Sequence, residues 1–277
     1  MLLFTRILGF KRELMAKLRD RRKAPRFPVG PKFPVKATVN LTGRAGASNP
    51  ATGYDWGGRL VNLSDLGVSL QLLRAATTVR GEETVLRLEL EGHELTVPCV
   101  VAYFRTYSAY SVCGLQLKFA DRAKHQAYLQ LVEAVSLGAS FVPAKGRGSA
   151  QPRTPAPAQR YSSGSKAVLI GRRDASTGEP DSFELTLGDH CLKGGKTVPP
   201  LAVFRQGRTP QPESSPEVES EVRRLFRWIV PNLPNSVPAD LRALLEFSAN
   251  SRPPGRGAAA SRPSAPPSQW EQPERRQ

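Results

Sequence analysis

Between residues 32 and 119, apolar and polar side chains alternate with a two-residue period in six short stretches. Phe33, Val35, Ala37, Val39 and Leu41 form the first, and Pro34 marks a strand start or an edge. A turn-rich loop runs from Gly43 to Gly53. Arg59–Leu63 and Val68–Leu73 then flank a tight Ser-Asp-Leu-Gly corner. Val85–Leu90 alternates, followed by Leu95, Val97, Cys99, Val101 and Tyr103. Val112, Leu115, Leu117 and Phe119 close the set around Gly114. Six strands with no helical pattern between them predict a mainly β domain, an antiparallel sheet or small barrel. The period then changes to that of a helix. Asp121 is its expected N-cap, and Tyr128, Leu129, Val132 and Val135 share its buried face.

The ends and the second half read differently. Residues 2–19 have helical spacing, with Leu3, Ile7, Leu14 and Leu18 near one face. Such a helix packs on the domain that follows or, as a basic amphipathic helix, lies at a membrane surface. Residues 143–165, rich in Pro, Gly, Ser, Ala and Arg, read as a flexible linker. Beyond it, Val168–Ile170, Phe183–Leu187 and Leu201–Phe204 read as short strands. Val218–Ile229 and Pro238–Phe247 read as helices, with starts at Ser215-Pro216 and Val237-Pro238. The resulting division is an N-terminal helix (1–20), a β domain (21–137), a linker (138–166), a small α+β or partly ordered region of unassigned fold (167–250) and a disordered tail (251–277). On this division residues 1–140 are expected to fold by themselves.

Charge sharpens the picture. Forty Lys and Arg against 24 Asp and Glu give a formal net charge of +16 over 277 residues. The excess lies outside the patterned regions. Residues 1–26 carry nine basic and two acidic groups, and residues 141–166 carry five basic and none acidic. Residues 27–140 and 167–250 are nearly neutral. Basic arms of this kind suit nucleic acid, anionic lipid or plain solubility, whereas a basic folded face would point to DNA. No apolar run reaches the roughly 20 residues of a membrane helix. Cys99, Cys113 and Cys191 are odd in number and lack CxxC spacing, which argues against a disulfide framework or zinc site and for a reduced, cytoplasmic setting. The apolar Met1–Phe10 segment is broken by Arg6 and lacks a small-residue cleavage site, so no secretory signal is expected.

Two short motifs carry the candidate chemistry. Arg22-Lys23-Ala24-Pro25-Arg26 is an RxxxR segment preceded by Arg21. Pro25 and Pro28 push their predecessors toward extended geometry, so these arginines sit on an extended arm. Asn62-Leu63-Ser64-Asp65-Leu66-Gly67 reads NxSxxG at the exit of the second strand. Asn62 and Ser64 share one side of that strand by the two-residue period. Gly67 suits a corner needing positive φ or a close backbone approach. Each motif alone has a plain explanation. RxxxR is common in a basic arm, and Asn, Ser and Gly are turn formers. Their order, separation and strand context together resemble the PilZ domain, a family of bacterial receptors for cyclic di-GMP.

The resemblance covers roughly residues 20–137 and implies a six-stranded antiparallel barrel with a C-terminal helix. It assigns ligand contact to Arg21, Arg22, Arg26, Asn62, Ser64 and Gly67. The chemistry fits: a guanidinium fork pairs with phosphate, bonds the O6/N7 edge of guanine, or stacks on its face. Asn62 departs from the Asp that many family members carry, and the missing charge implies weaker pairing with an arginine. The expected function is a non-enzymatic bacterial effector without cofactor or metal, whose arginine arm closes on the barrel when the ligand binds. A downstream protein partner is implied but not identified, and the oligomeric state is open. The alternative is a basic protein binding nucleic acid or an anionic surface through its arms; a scaffold with a barrel that has lost binding is a third. Other features carry less. Adjacent Asp189-His190-Cys191 side chains rarely converge on one metal. Gly195-Lys196-Thr197 lacks the leading glycine of a P-loop, since residue 190 is His.

Overall fold

The computed structural model describes residues 25–43, 53–144, 158–164, 167–196 and 201–251. The helix expected over residues 1–20, Arg21 and Arg22, and the tail beyond residue 251 lie outside the described residues.

The six alternating stretches form a closed antiparallel barrel. Its strands are β2 (Val35–Leu41), β3 (Tyr54–Ser64), β4 (Gly67–Leu73), β5 (Glu83–Leu90), β6 (His93–Thr106) and β7 (Tyr110–Leu117). They run in the order β3-β2-β5-β6-β7-β4, and β4 pairs back onto β3 to close the ring. A two-residue strand, β1 (Phe27–Pro28), adds to the outside of β3. Alternation decides which residues fill the barrel. Val39, Leu60, Leu63, Leu70, Leu86 and Cys113 are fully buried, each large apolar chain contributing about 1.5–3 kcal/mol. The β3 strand begins earlier than its apolar pattern suggests, because pairing with β2 carries Tyr54 to Gly58 into the ladder.

Helix α1 (Arg122–Ala139) follows the last barrel strand and packs against β1 and β6. Asp121 caps it as expected, accepting from the Ala123 N–H at 2.7 Å. Its buried face carries Tyr128, Leu131, Val132 and Val135, while Leu129, expected on that face, is only half-buried.

The second half is an antiparallel meander. Strands β8 (Val142–Pro143), β9 (Ala158–Ser163), β10 (Ala167–Arg173), β11 (Pro180–Leu187), β12 (His190–Gly195), β13 (Ala202–Arg205) and β14 (Gln211–Pro212) pair in sequence order. Helices α2 (Pro216–Ile229) and α3 (Ala239–Asn250) pack on it. Phe183 of β11 stacks on Phe226 of α2 at 5.7 Å, and Leu241 of α3 fills the space over Gly171. Ser215 caps α2, with Pro216 opening its first turn.

The linker expected over residues 138–166 is shorter than its composition suggests. Residues 138–139 end α1, and β8 and β9 occupy 142–143 and 158–163. Average composition hid a local alternation in which Tyr161 and Ser163 are buried against β10 while Arg160 faces out. The separation of the second region is also reduced, since barrel and meander share one apolar core. Gly138 of α1 lies against the Ile229 carbonyl, where an added Cβ would sit 2.6 Å away. The Gly30 N–H donates to Asn232 Oδ1 at 2.8 Å. At the β5–β6 turn, Glu91 and Gly92 both have positive φ (48° and 82°), the geometry of a tight hairpin. Glutamate is a costly choice there, and its carboxylate accepts from Arg227 Nε and Nη2 at 2.9 and 3.0 Å, with Arg224 Nε at 3.6 Å.

Candidate functional site

The NxSxxG segment lies at the end of β3, and a bulge decides which way it faces. The ladder between β3 and β4 skips Val61, so Leu60 pairs with Leu70 and Asn62 with Ser69. Leu60 and Leu63 therefore both point into the barrel although three residues apart. Asn62 and Ser64 share the outer side, as the two-residue period predicts.

Ser64 pairs with Gly67 across a two-residue turn made by Asp65 and Leu66. The Ser64 hydroxyl donates to the Gly67 carbonyl at 3.3 Å. The Leu117 N–H donates to the Leu66 carbonyl at 2.9 Å, tying the turn to β7. From beneath, the Tyr128 hydroxyl of α1 reaches the Ser64 carbonyl at 2.7 Å and the Gly67 carbonyl at 3.1 Å. Tyr128 is fully buried. Burial, and secondarily the Asp65 carboxylate, pushes its phenol well above the ordinary tyrosine value, so it remains a neutral donor. One Asp65 oxygen, Oδ1, is shielded from solvent and has no partner among the described residues.

Gly67 answers one of its two expected roles. Its φ is not positive; what it permits is close approach. A Cβ there would lie 3.1 Å from the Leu115 carbonyl oxygen.

The chain from Pro25 onward runs along this strand. Phe27 pairs with Leu63 and Pro28 with Asn62, and the Val29 N–H donates to the Val61 carbonyl at 3.0 Å. Pro28 has no N–H to give, which an outer strand tolerates. Val29 is buried and Phe27 packs on the core. Arg26, one residue before Phe27 in an antiparallel register, therefore leaves the ladder beside Ser64 with its side chain exposed. Of the six sequence-predicted residues, Arg26, Asn62, Ser64 and Gly67 thus meet at one strand end; Arg21 and Arg22 lie outside the described residues.

Tyr128 supports this corner, yet its sequence signal was only that of a buried helix position. The tertiary contacts that give its hydroxyl a task lie 64 and 61 residues away in the chain. No group of three or more His, Cys, Asp or Glu side chains among the described residues is arranged to hold a metal. Elsewhere Cys99, Cys113 and Cys191 are buried, His125 stacks on Phe119 at 4.5 Å, and His190 Nε2 lies 3.3 Å from the Glu213 carboxylate.

The family model for the PilZ domain matches residues 20–134. A comparison with curated proteins returns no match. Among solved structures, the chain is similar to the PilZ domain of CeSA from a cellulose-synthesizing bacterium, at 17% identity and a TM-score of 0.30. That likeness covers 40% of this chain and 98% of the other. It is also similar to the PlzA protein of Borreliella burgdorferi, solved in complex with c-di-GMP, at 9% identity and a TM-score of 0.29. Here 78% of this chain and 97% of the other are covered.

Proposed function

We propose, from the premise that residues 20–134 are a PilZ domain, that this chain is a non-enzymatic receptor for cyclic di-GMP. Its ligand sits outside the barrel, between the Asn62–Gly67 corner and the arginine arm. The observation that carries this reading is the short ladder between β1 and β3, which brings Arg26 out beside Ser64 on the face that Asn62 shares. The corner is hydrogen-bonded by Tyr128 from below and by Leu117 from the side. The arm upstream of Pro25 supplies Arg21 and Arg22.

The chemistry required is recognition, with no bond made or broken. A cyclic dinucleotide offers two phosphates for guanidinium forks and two guanines with O6/N7 edges. Asn62 and Ser64 add neutral donors and acceptors at a fixed spacing. Because β1 is already paired, binding need draw in only the residues before Pro25. This folds positive charge onto the barrel and changes the surface offered to a downstream protein. A cytoplasmic setting belongs to the same reading, in keeping with three unpaired cysteines. Among the described residues no helix is long and apolar enough to cross a membrane.

Calorimetric titration of the full chain tests the proposal. Saturable binding of cyclic di-GMP, with much weaker binding of cyclic di-AMP and GTP, is expected, since adenine presents a donor where guanine has O6. Equal heats with cyclic di-AMP, or none with cyclic di-GMP, overturn it. Binding that falls steeply with salt for any polyanion returns the chain to the nucleic-acid or anionic-surface reading.

A further inference from the structure

Four residues lie level on the outer face of the barrel, one on each of four neighbouring strands. Asn62 of β3 pairs with Ser69 of β4, Ser69 with Gly114 of β7, and Gly114 with Tyr103 of β6. The row beneath them, Leu63, Val68, Leu115 and Val101, is buried in the core. Two bulges bring the outer row into line: the ladders skip Val61 in β3 and Ala102 in β6.

The Tyr103 ring lies directly over Gly114. A Cβ on that glycine would fall 2.0 Å from the ring's Cε1, so any other residue there would lift the ring off the sheet. The Tyr103 hydroxyl reaches across to Ser69 Oγ at 2.7 Å. Ser69 is the cross-strand neighbour of Asn62, and adjacent strands are about 4.8 Å apart. The hydroxyl thus stands one strand away from the motif, and the ring itself, over Gly114, two strands away. The Arg105 guanidinium stands 5.9 Å from the ring centroid and is exposed. An aromatic face beside a cation and next to a phosphate-competent motif is the arrangement on which a nucleobase stacks.

We propose that Tyr103 is the floor on which one guanine of the bound cyclic dinucleotide stacks, with Arg105 moving from the ring to the ligand. This rests on the cyclic di-GMP reading above. The motif and arm hold one side of the ligand, and Tyr103 takes the base that extends over β4 and β7. The competing account is that the ring merely covers a cross-strand glycine and stabilises the sheet.

The full chain and four variants separate these. Base–aromatic stacking contributes about 1–3 kcal/mol by alanine substitution, which is about fivefold to 150-fold in affinity. Tyr103→Ala is expected to weaken cyclic di-GMP binding about fivefold or more in calorimetry. Tyr103→Phe keeps the ring and is expected to stay within about threefold of the parent. Asn62→Ala serves as the motif control and is expected to weaken binding by itself. Tyr103→Trp guards against misfolding: its added emission is expected to be quenched by cyclic di-GMP with the calorimetric midpoint. If the parent binds and Asn62→Ala weakens binding while Tyr103→Ala binds like the parent, the stacking inference fails and the receptor reading survives. If Tyr103→Ala unfolds and the Tyr103→Trp emission is indifferent to ligand, the ring is structural and the inference fails as well. If the parent does not bind, the receptor reading fails and takes this inference with it.

Discussion

Replacing Tyr128 by Phe removes one oxygen from the interior and nothing else. The ring keeps its volume and its contact with Phe119, 5.3 Å between centroids, so no cavity opens. What is lost is the donor shared by the Ser64 and Gly67 carbonyls, at 2.7 and 3.1 Å. A net hydrogen bond contributes about 0.5–1.5 kcal/mol, and a buried polar group left without its partner costs about 1–3 kcal/mol. Both acceptors lie at a strand end where a second lone pair can be used, so we expect a loss of about 1.5–2.5 kcal/mol. Urea unfolding followed by tryptophan fluorescence measures it, with an unchanged slope showing that the folded state is otherwise intact. Tyr161→Phe is the control, since that hydroxyl donates to the exposed Gln159 side chain at 3.2 Å; its expected cost is under about 0.5 kcal/mol. The pH dependence gives a second readout. The folded phenol titrates well above the unfolded value, so the folded state holds its proton longer. Its contribution is therefore complete below about pH 10 and declines as pH rises beyond it; the raised thiols and Tyr161 give both proteins an alkaline decline, and the parent's is steeper by the share of Tyr128. A loss below about 0.5 kcal/mol for Tyr128→Phe, or the same alkaline decline in both proteins, would refute the view that this hydroxyl holds the motif corner.

Arg22→Ala and Arg26→Ala should each weaken cyclic di-GMP binding at least about tenfold in calorimetry, because a charge-assisted bond contributes about 1.5–3 kcal/mol, whereas Arg6→Ala should leave it unchanged. Equal losses at all three positions would mark a diffuse cationic arm. Gly67→Val should cost about 1–3 kcal/mol in urea unfolding, because its side chain must displace the Leu115 carbonyl, 3.1 Å from the first added carbon; an unchanged midpoint would show that the corner gives way freely. Burial raises the thiols of Cys99, Cys113 and Cys191 to about 12, so Ellman's reagent should find almost no reactive thiol in the native chain at pH 8 and three after denaturation. A fragment ending at residue 144 should lose cooperative melting in calorimetry, the reverse of the composition-based expectation, because it uncovers the α1 surface around Gly138 that packs on Ile229; a fragment melting like the full chain would make the second half an appendage.

Much of the barrel was legible because alternation is a local signal: a strand half-facing a core must place apolar residues at every second position. Asp121 and Ser215 were legible as helix starts for a similar reason, their side chains being able to reach N–H groups two or three residues on. The meander was harder. Its strands at 158–163 and 190–195 are short, polar in part or glycine-containing, and are held by partners on neighbouring strands more than by their own pattern.

The sequence by itself determined the order of the six barrel strands and of the helices after them, the sharing of one strand side by Asn62 and Ser64, and the extended character of the chain around Pro25 and Pro28. Each follows from side-chain period or from the geometry of proline, which no distant residue needs to supply. Tertiary structure decided what these residues meet. The bulges at Val61 and Ala102 align a row across four strands, Gly114 leaves room for the Tyr103 ring, and Tyr128 carries a hydroxyl from α1 to the Ser64–Gly67 corner. The joining of barrel and meander through Glu91, Arg224 and Arg227 was likewise invisible. Such contacts link positions tens to more than a hundred residues apart, and their free energy appears only when chain closure brings the partners together, so no local pattern records them.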